Sequence, residues 1–188
     1  MTMQAENGGG RRGASWWRVL PWIGASALLA APAVAMRLGA DVDWTAFDFI
    51  VAGVMLAVPL TVFELALRTS GSLAYRAGAV VALGTAFLIT WSNLAVGIIG
   101  SENDPINLMF FGVIFIAIAG SFLASFRARG LAIAMTVTAA AQAGTAVVAL
   151  IGGHFTFVIV GVFTIGWLMS AWLFRRAAAE QTWASGDA

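Results

Sequence analysis

The sequence predicts an all-α membrane protein, a six-span transmembrane helical bundle with both termini in the cytoplasm. Three observations predict it. Of 188 residues, 61% are hydrophobic and only 10% are charged, where a water-facing domain carries about 25% charged residues. So few charges leave lipid as the solvent for most of the surface. Six apolar runs follow one another, each near the roughly 20 residues that cross about 30 Å of hydrocarbon. The ten basic residues, all arginines, fall almost wholly on one side of the threading those runs imply.

Residues 1–15, "MTMQAENGGGRRGAS", are polar and glycine-rich and read as a disordered cytoplasmic tail. A single transmembrane domain then covers 16–176, with helices over about 19–36, 47–67, 77–99, 106–126, 131–151 and 155–174, and residues 177–188 form a second cytoplasmic tail, polar helix or coil. The connections are short and carry breakers: "RTSGS", "GSENDP", "RARG" and "GGH". Backbone groups left unpaired in lipid are costly, so the runs are helices rather than strands. The alternating short segments of a β-barrel are missing. The first run admits a second reading. Arg11, Arg12 and Arg18, followed by "VLPWIGASALLAAPAVAM", also resemble a secretory signal, and cleavage after Ala35 would leave five helices. Against it, both the apolar run and the segment before it are long for a signal.

Threading six helices from a cytoplasmic N-terminus puts Arg11, Arg12, Arg18, Arg68, Arg76, Arg127, Arg129, Arg175 and Arg176 inside and only Arg37 outside. A nine-to-one split on short loops is a strong positive-inside signal. The outer side collects Asp41, Asp43, Asp48, Glu102, Asp104 and His154. Trp16, Trp17, Trp22, Trp44 and Trp172 lie near predicted boundaries, as an aromatic belt would, while Trp91 and Trp167 lie deeper and read as packing residues.

Several stretches carry a family resemblance: "DVDWTAFDFIVAGVML" (41–56), "AYRAG" (74–78), "WSNLAVGIIGSENDPINLMFFGV" (91–113), and "RGLAIAM" followed by "AQA" (129–143). Over roughly residues 40–150 the chain resembles a family of small uncharacterised bacterial multi-pass membrane proteins, and "NLAVGIIGSE" is the most specific part. The resemblance implies a membrane bundle. It supplies neither an activity nor a functional residue.

The polar residues that remain are the candidates for chemistry. In "GSENDP", Gly100 ends helix three, and Asp104 caps helix four with Pro105 at its first position. Ser101, Glu102, Asn103 and Asn107 exceed what a turn requires. Asn93 falls about six residues below the outer end of helix three, where an amide needs a partner. It either bonds a neighbouring helix or lines an outward cavity with Asp48. Asp48 begins helix two, where a carboxylate suits the helix dipole; beside Asn93 it would titrate and couple to protons or cations. Glu64 and Arg68, four apart, suit an interfacial ion pair or an inner gate. His154, in the turn "GGHF", is either solvated or an outer pH or cation sensor. With one histidine and no cysteine, a zinc site is weakly supported, since it needs three or four ligands, and paired-histidine haem is excluded within one chain.

Helix five, "LAIAMTVTAAAQAGTAVVALI", is dense in small residues, with Gln142 near its middle and small pairs such as Ala140 and Gly144. That composition marks a central packing helix or a self-association face. No catalytic motif is present, and no cofactor or metal is implied. The function expected is that of a non-enzymatic inner-membrane component, an accessory or scaffold protein. Its partners are membrane lipid and a second copy or another membrane protein, with no nucleic acid. The alternative is a small proton- or cation-linked permease or channel with an acidic outer vestibule.

Overall fold

The computed structural model describes residues 16–101 and 103–186. Regular structure among them is helical throughout: α1 (Trp16–Arg37), α2 (Ala46–Thr69), α3 (Leu73–Ala95), a 3-10 turn (Pro105–Asn107), α4 (Leu108–Leu123), α5 (Ala128–Ile151) and α6 (Phe157–Gly186). Six helices are long and apolar enough to cross a membrane. The chain forms two compact units, Met1–Thr61 and Val62–Ala188, and α2 passes from one into the other.

The first unit is held by local devices. Thr45 and Asp48 form a reciprocal capping box at the start of α2. The Asp48 carboxylate accepts from the Thr45 backbone N–H at 2.7 Å and from its hydroxyl at 2.8 Å, and the Asp48 N–H donates to the Thr45 hydroxyl at 3.4 Å. Trp44, just before the cap, meets Phe49 edge-on with ring centroids 5.2 Å apart, a hydrophobic staple that fixes how the chain enters the helix. No described side chain of this unit is buried.

In the second unit, α5 packs between α4 and α6, α6 also packs along α3, and α3 touches α4 to close a four-helix bundle. The core centres on Trp167, Phe110, Ile89 and Ile99. Small residues set the helix spacing. A Cβ on Gly166 would collide with Thr85, and one on Gly120 would sit 2.8 Å from the Ala134 Cβ, so α3–α6 and α4–α5 approach as only glycine permits. The Ser170 hydroxyl donates to the Gly78 carbonyl at 2.9 Å, fixing α6 against α3.

The connections at the end of the bundle where α2 meets α3 are tied by side chains. Arg76 donates to the Ser70 and Leu67 carbonyls at 3.0 and 3.2 Å, satisfying the end of α2. Ser72 caps α3 through the Tyr75 N–H and donates to Glu180 at 2.6 Å. That tie, with Ala177 fully buried, explains why the predicted tail 177–188 is helical as far as Gly186. Helix six starts at 157 rather than 155 and runs well past 174.

Other boundaries also differ from expectation. Helix three begins at 73 rather than 77 and ends at 95 rather than 99, and α5 begins at 128 rather than 131. Helix four stops at 123 rather than 126, because Ser125 and Phe126 both take left-handed backbone (φ 47° and 57°). The Tyr75 hydroxyl holds that bend by donating to the Phe126 carbonyl at 2.8 Å. Trp167 is a core residue, 1% exposed, whereas Trp91 is 47% exposed and packs locally by stacking on Phe87. Trp172 carries the Arg176 guanidinium 4.9 Å above its ring.

Candidate functional site

The polar stretch between α3 and α4 is organised by one side chain. After Ala95 the helix is broken by Gly97 and Gly100, both at positive φ (72° and 66°), which glycine adopts without strain. Gly100 is thus not the end of helix three, as the sequence suggests; Val96 is its C-cap. The residues between, Ile98 and Ile99, fold inward and are buried. Their backbone groups leave the helical ladder and need other partners.

Asn107 provides them. Its Oδ1 accepts from the Ile98 and Ile99 N–H groups at 3.2 and 2.9 Å, and its Nδ2 donates to the Ile99 and Ser101 carbonyls at 2.8 and 2.7 Å. The amide is 3% exposed and serves four loop groups at once. Asp104 caps the 3-10 turn by accepting from the Ile106 N–H at 3.1 Å, with Pro105 at the first position. The cap therefore starts a 3-10 turn, and α4 follows only at Leu108. Asn103 is exposed, and Glu102 lies outside the described residues.

Asn93 occupies the last turn of α3, two residues from its end rather than six. It is 3% exposed. Neither its Nδ2 nor its Oδ1 has a hydrogen-bond partner among the described residues, so the expected bond to a neighbouring helix is not made. Asp48 belongs to the other unit, and its carboxylate is engaged by Thr45.

His154 sits half-buried in the α5–α6 turn. Its N–H donates to the Ala149 carbonyl at 2.9 Å, and Gly153 beside it has φ 80°. No cluster of three or more metal-ligating side chains exists among the described residues. Glu64 and Arg68 lie 3.0 Å apart, with Arg68 67% exposed. Such a pair contributes a few tenths of a kcal/mol, about 0.2–0.5.

The structure thus gathers Asn107, Asp104 and the 96–101 loop into one polar knot, and accounts for Asp48 and the Glu64–Arg68 pair locally. Sequence reasoning missed the Trp44–Phe49 staple and the keystone role of Asn107. The staple was legible: "WTAFDF" carries cap, box and apolar flanks in the required positions. A cavity of about 520 Å³ opens at the other end of the bundle, lined among others by Tyr75, Arg127 and Arg129.

Fold and sites together define the class as a multi-pass α-helical membrane protein. No family model matches the chain, and neither a curated protein nor a solved structure matches it.

Proposed function

We propose that this protein is a non-enzymatic component of the bacterial inner membrane, working through helix–helix contacts with a second copy or another membrane protein. The carrying observation is where its small residues lie. Ala140 and Gly144 fall on the exposed stripe of α5, and a Cβ on Gly144 would meet nothing within 4 Å. Small residues on a lipid-facing stripe allow a foreign helix to approach closely. Meanwhile the carboxylates that a transporter would use are committed: Asp48 to its capping box and Asp104 to the 3-10 turn. The arginine distribution supports both termini inside. The resemblance to small bacterial multi-pass membrane proteins supports the bacterial setting and adds no mechanism.

One observation favours a second reading, a small permease or channel. The Asn93 amide is buried with both polar atoms unmatched, which suits a group awaiting a solute.

The chain has no cysteine, so single cysteines test the proposal without background. Introduced at residue 103, a cysteine is labelled from outside intact cells; at 128 it is labelled only after permeabilisation. Gly144→Cys cross-links to a second copy or a discrete membrane partner in native membranes. Labelling of 103 and 128 from one compartment would overturn the threading. Absence of any cross-link at 144, with solute flux into liposomes abolished by Asn93→Ala, would establish the permease.

A further inference from the structure

We propose that the cavity at the α4–α5 corner of the second unit binds a phosphoryl anion, supplied by a lipid headgroup or by free phosphate. The first support is how the arginines are spent. The second unit holds six. Arg68 pairs with Glu64, Arg76 holds the carbonyls ending α2, Arg175 donates to the Thr136 hydroxyl at 3.2 Å, and Arg176 stacks on Trp172. The guanidinium groups of the two left, Arg127 and Arg129, make no hydrogen bond, ion pair or ring contact among the described residues, and both residues line the cavity. Charge placed there only to set topology would have no reason to converge on one concavity while its four counterparts are engaged by the protein.

The second support is the rest of the lining. Ser70 and Ser125 contribute hydroxyls, Thr69 and Thr182 line the wall while donating to the Leu65 and Ala178 carbonyls, and no acidic residue lines the space. Its volume, about 520 Å³, lies within the range of small-ligand sites. Guanidinium forks match phosphate oxygens two at a time. The α5 helix begins here with no side-chain cap and no acid in its first turn, so its positive end adds to the same field. Phe126 and Ala178 form apolar wall.

The full-length protein in mild detergent, examined by native mass spectrometry, tests this directly. Phosphatidylglycerol and phosphatidylcholine are added in turn, and inorganic phosphate binding is followed by calorimetry. Wild type retains phosphatidylglycerol over phosphatidylcholine if the source is lipid. It binds inorganic phosphate with no headgroup preference if the source is soluble. In either case Arg127→Gln with Arg129→Gln weakens the binding, by about fivefold for each arginine, while Arg176→Gln leaves it unchanged. The single variants serve if the double variant does not fold. Binding of neither probe overturns the proposal. So does equal retention by the double variant, or an equal loss in Arg176→Gln, which would mark a bulk charge effect.

Discussion

The two units of this chain are both apolar helix, yet they are built on opposite plans. In the first, no described side chain is buried, and order comes from neighbours in sequence: the Thr45–Asp48 box, the Trp44–Phe49 staple and the helical ladder itself. In the second, order comes from contacts between distant residues: Ser170 on Gly78, Gly166 against Thr85, Tyr75 on Phe126. Hydropathy does not separate them and even points the wrong way. The span of α2 is more apolar than that of α5, but 6% of it is buried against 44% of α5. In lipid, apolar bulk is neutral between a bilayer and a neighbouring helix. What drives helices together is close approach and polar pairing. Ala132, Thr138, Ala139 and Thr145 of α5 mark the interior, and the Leu, Ile and Val of α2 mark the outside.

The sharpest way to break this comparison is one substitution in each unit. Gly166→Leu drives a side chain into Thr85 across the α3–α6 contact. Overpacking of this kind costs about 1–3 kcal/mol and often more where backbone must separate, so thermal unfolding in detergent falls by many degrees. In the first unit a Cβ on Gly24 meets nothing within 4 Å, so Gly24→Leu causes no loss and changes stability by less than about 1 kcal/mol, upward, because glycine is the weaker helix former. Equal losses from the two would remove the distinction between the units.

Next in size is Asn107→Ala. It leaves the Ile98 and Ile99 N–H groups and two carbonyls without their partner. Unsatisfied buried groups cost about 1–3 kcal/mol each when no water reaches them, and relaxation of the loop toward solvent brings the total to about 2–3 kcal/mol. The loss is local: hydrogen exchange rises across residues 96–101 before it rises in α5. Asn107→Asp separates the two halves of the amide, since it keeps the acceptor and removes the donor. Uniform exchange across the whole unit would instead make Asn107 one core residue among many.

How far the sequence foretells this follows from the same physics. The six helices were legible because length and apolarity suffice to identify a span. Asp104 before Pro105 was legible as a cap, since the chemistry is local, although it starts a 3-10 turn rather than α4. The end of helix three was not. "AVGIIGS" is as apolar as helix, and nothing local announces that Ile98 and Ile99 leave the ladder because an amide eight or nine positions on receives their backbone. The exposure of Trp91 and the helical tail to Gly186 were hidden for a like reason: each depends on packing across the bundle, as Ser72 with Glu180 illustrates. Asn93 was legible as a residue needing a partner, and the structure leaves that need open.

That open need gives the smallest effect and the most discriminating one. A buried amide with no partner pays its desolvation and recovers nothing. Asn93→Val, apolar and nearer to asparagine in volume than leucine, removes the unmet donor and acceptor together with little overpacking. After repacking of the branched side chain, it raises the stability of the purified protein by less than about 1 kcal/mol, seen as a small upward shift in unfolding temperature. A fall of the same size or larger would mean that the amide has a partner outside the described residues, such as a solute or a second chain. The sign thus decides between the two functional readings. If Asn93 is a relic of packing, stability rises and Gly144 cross-linking is untouched. If it serves a transported solute, stability falls and flux falls with it.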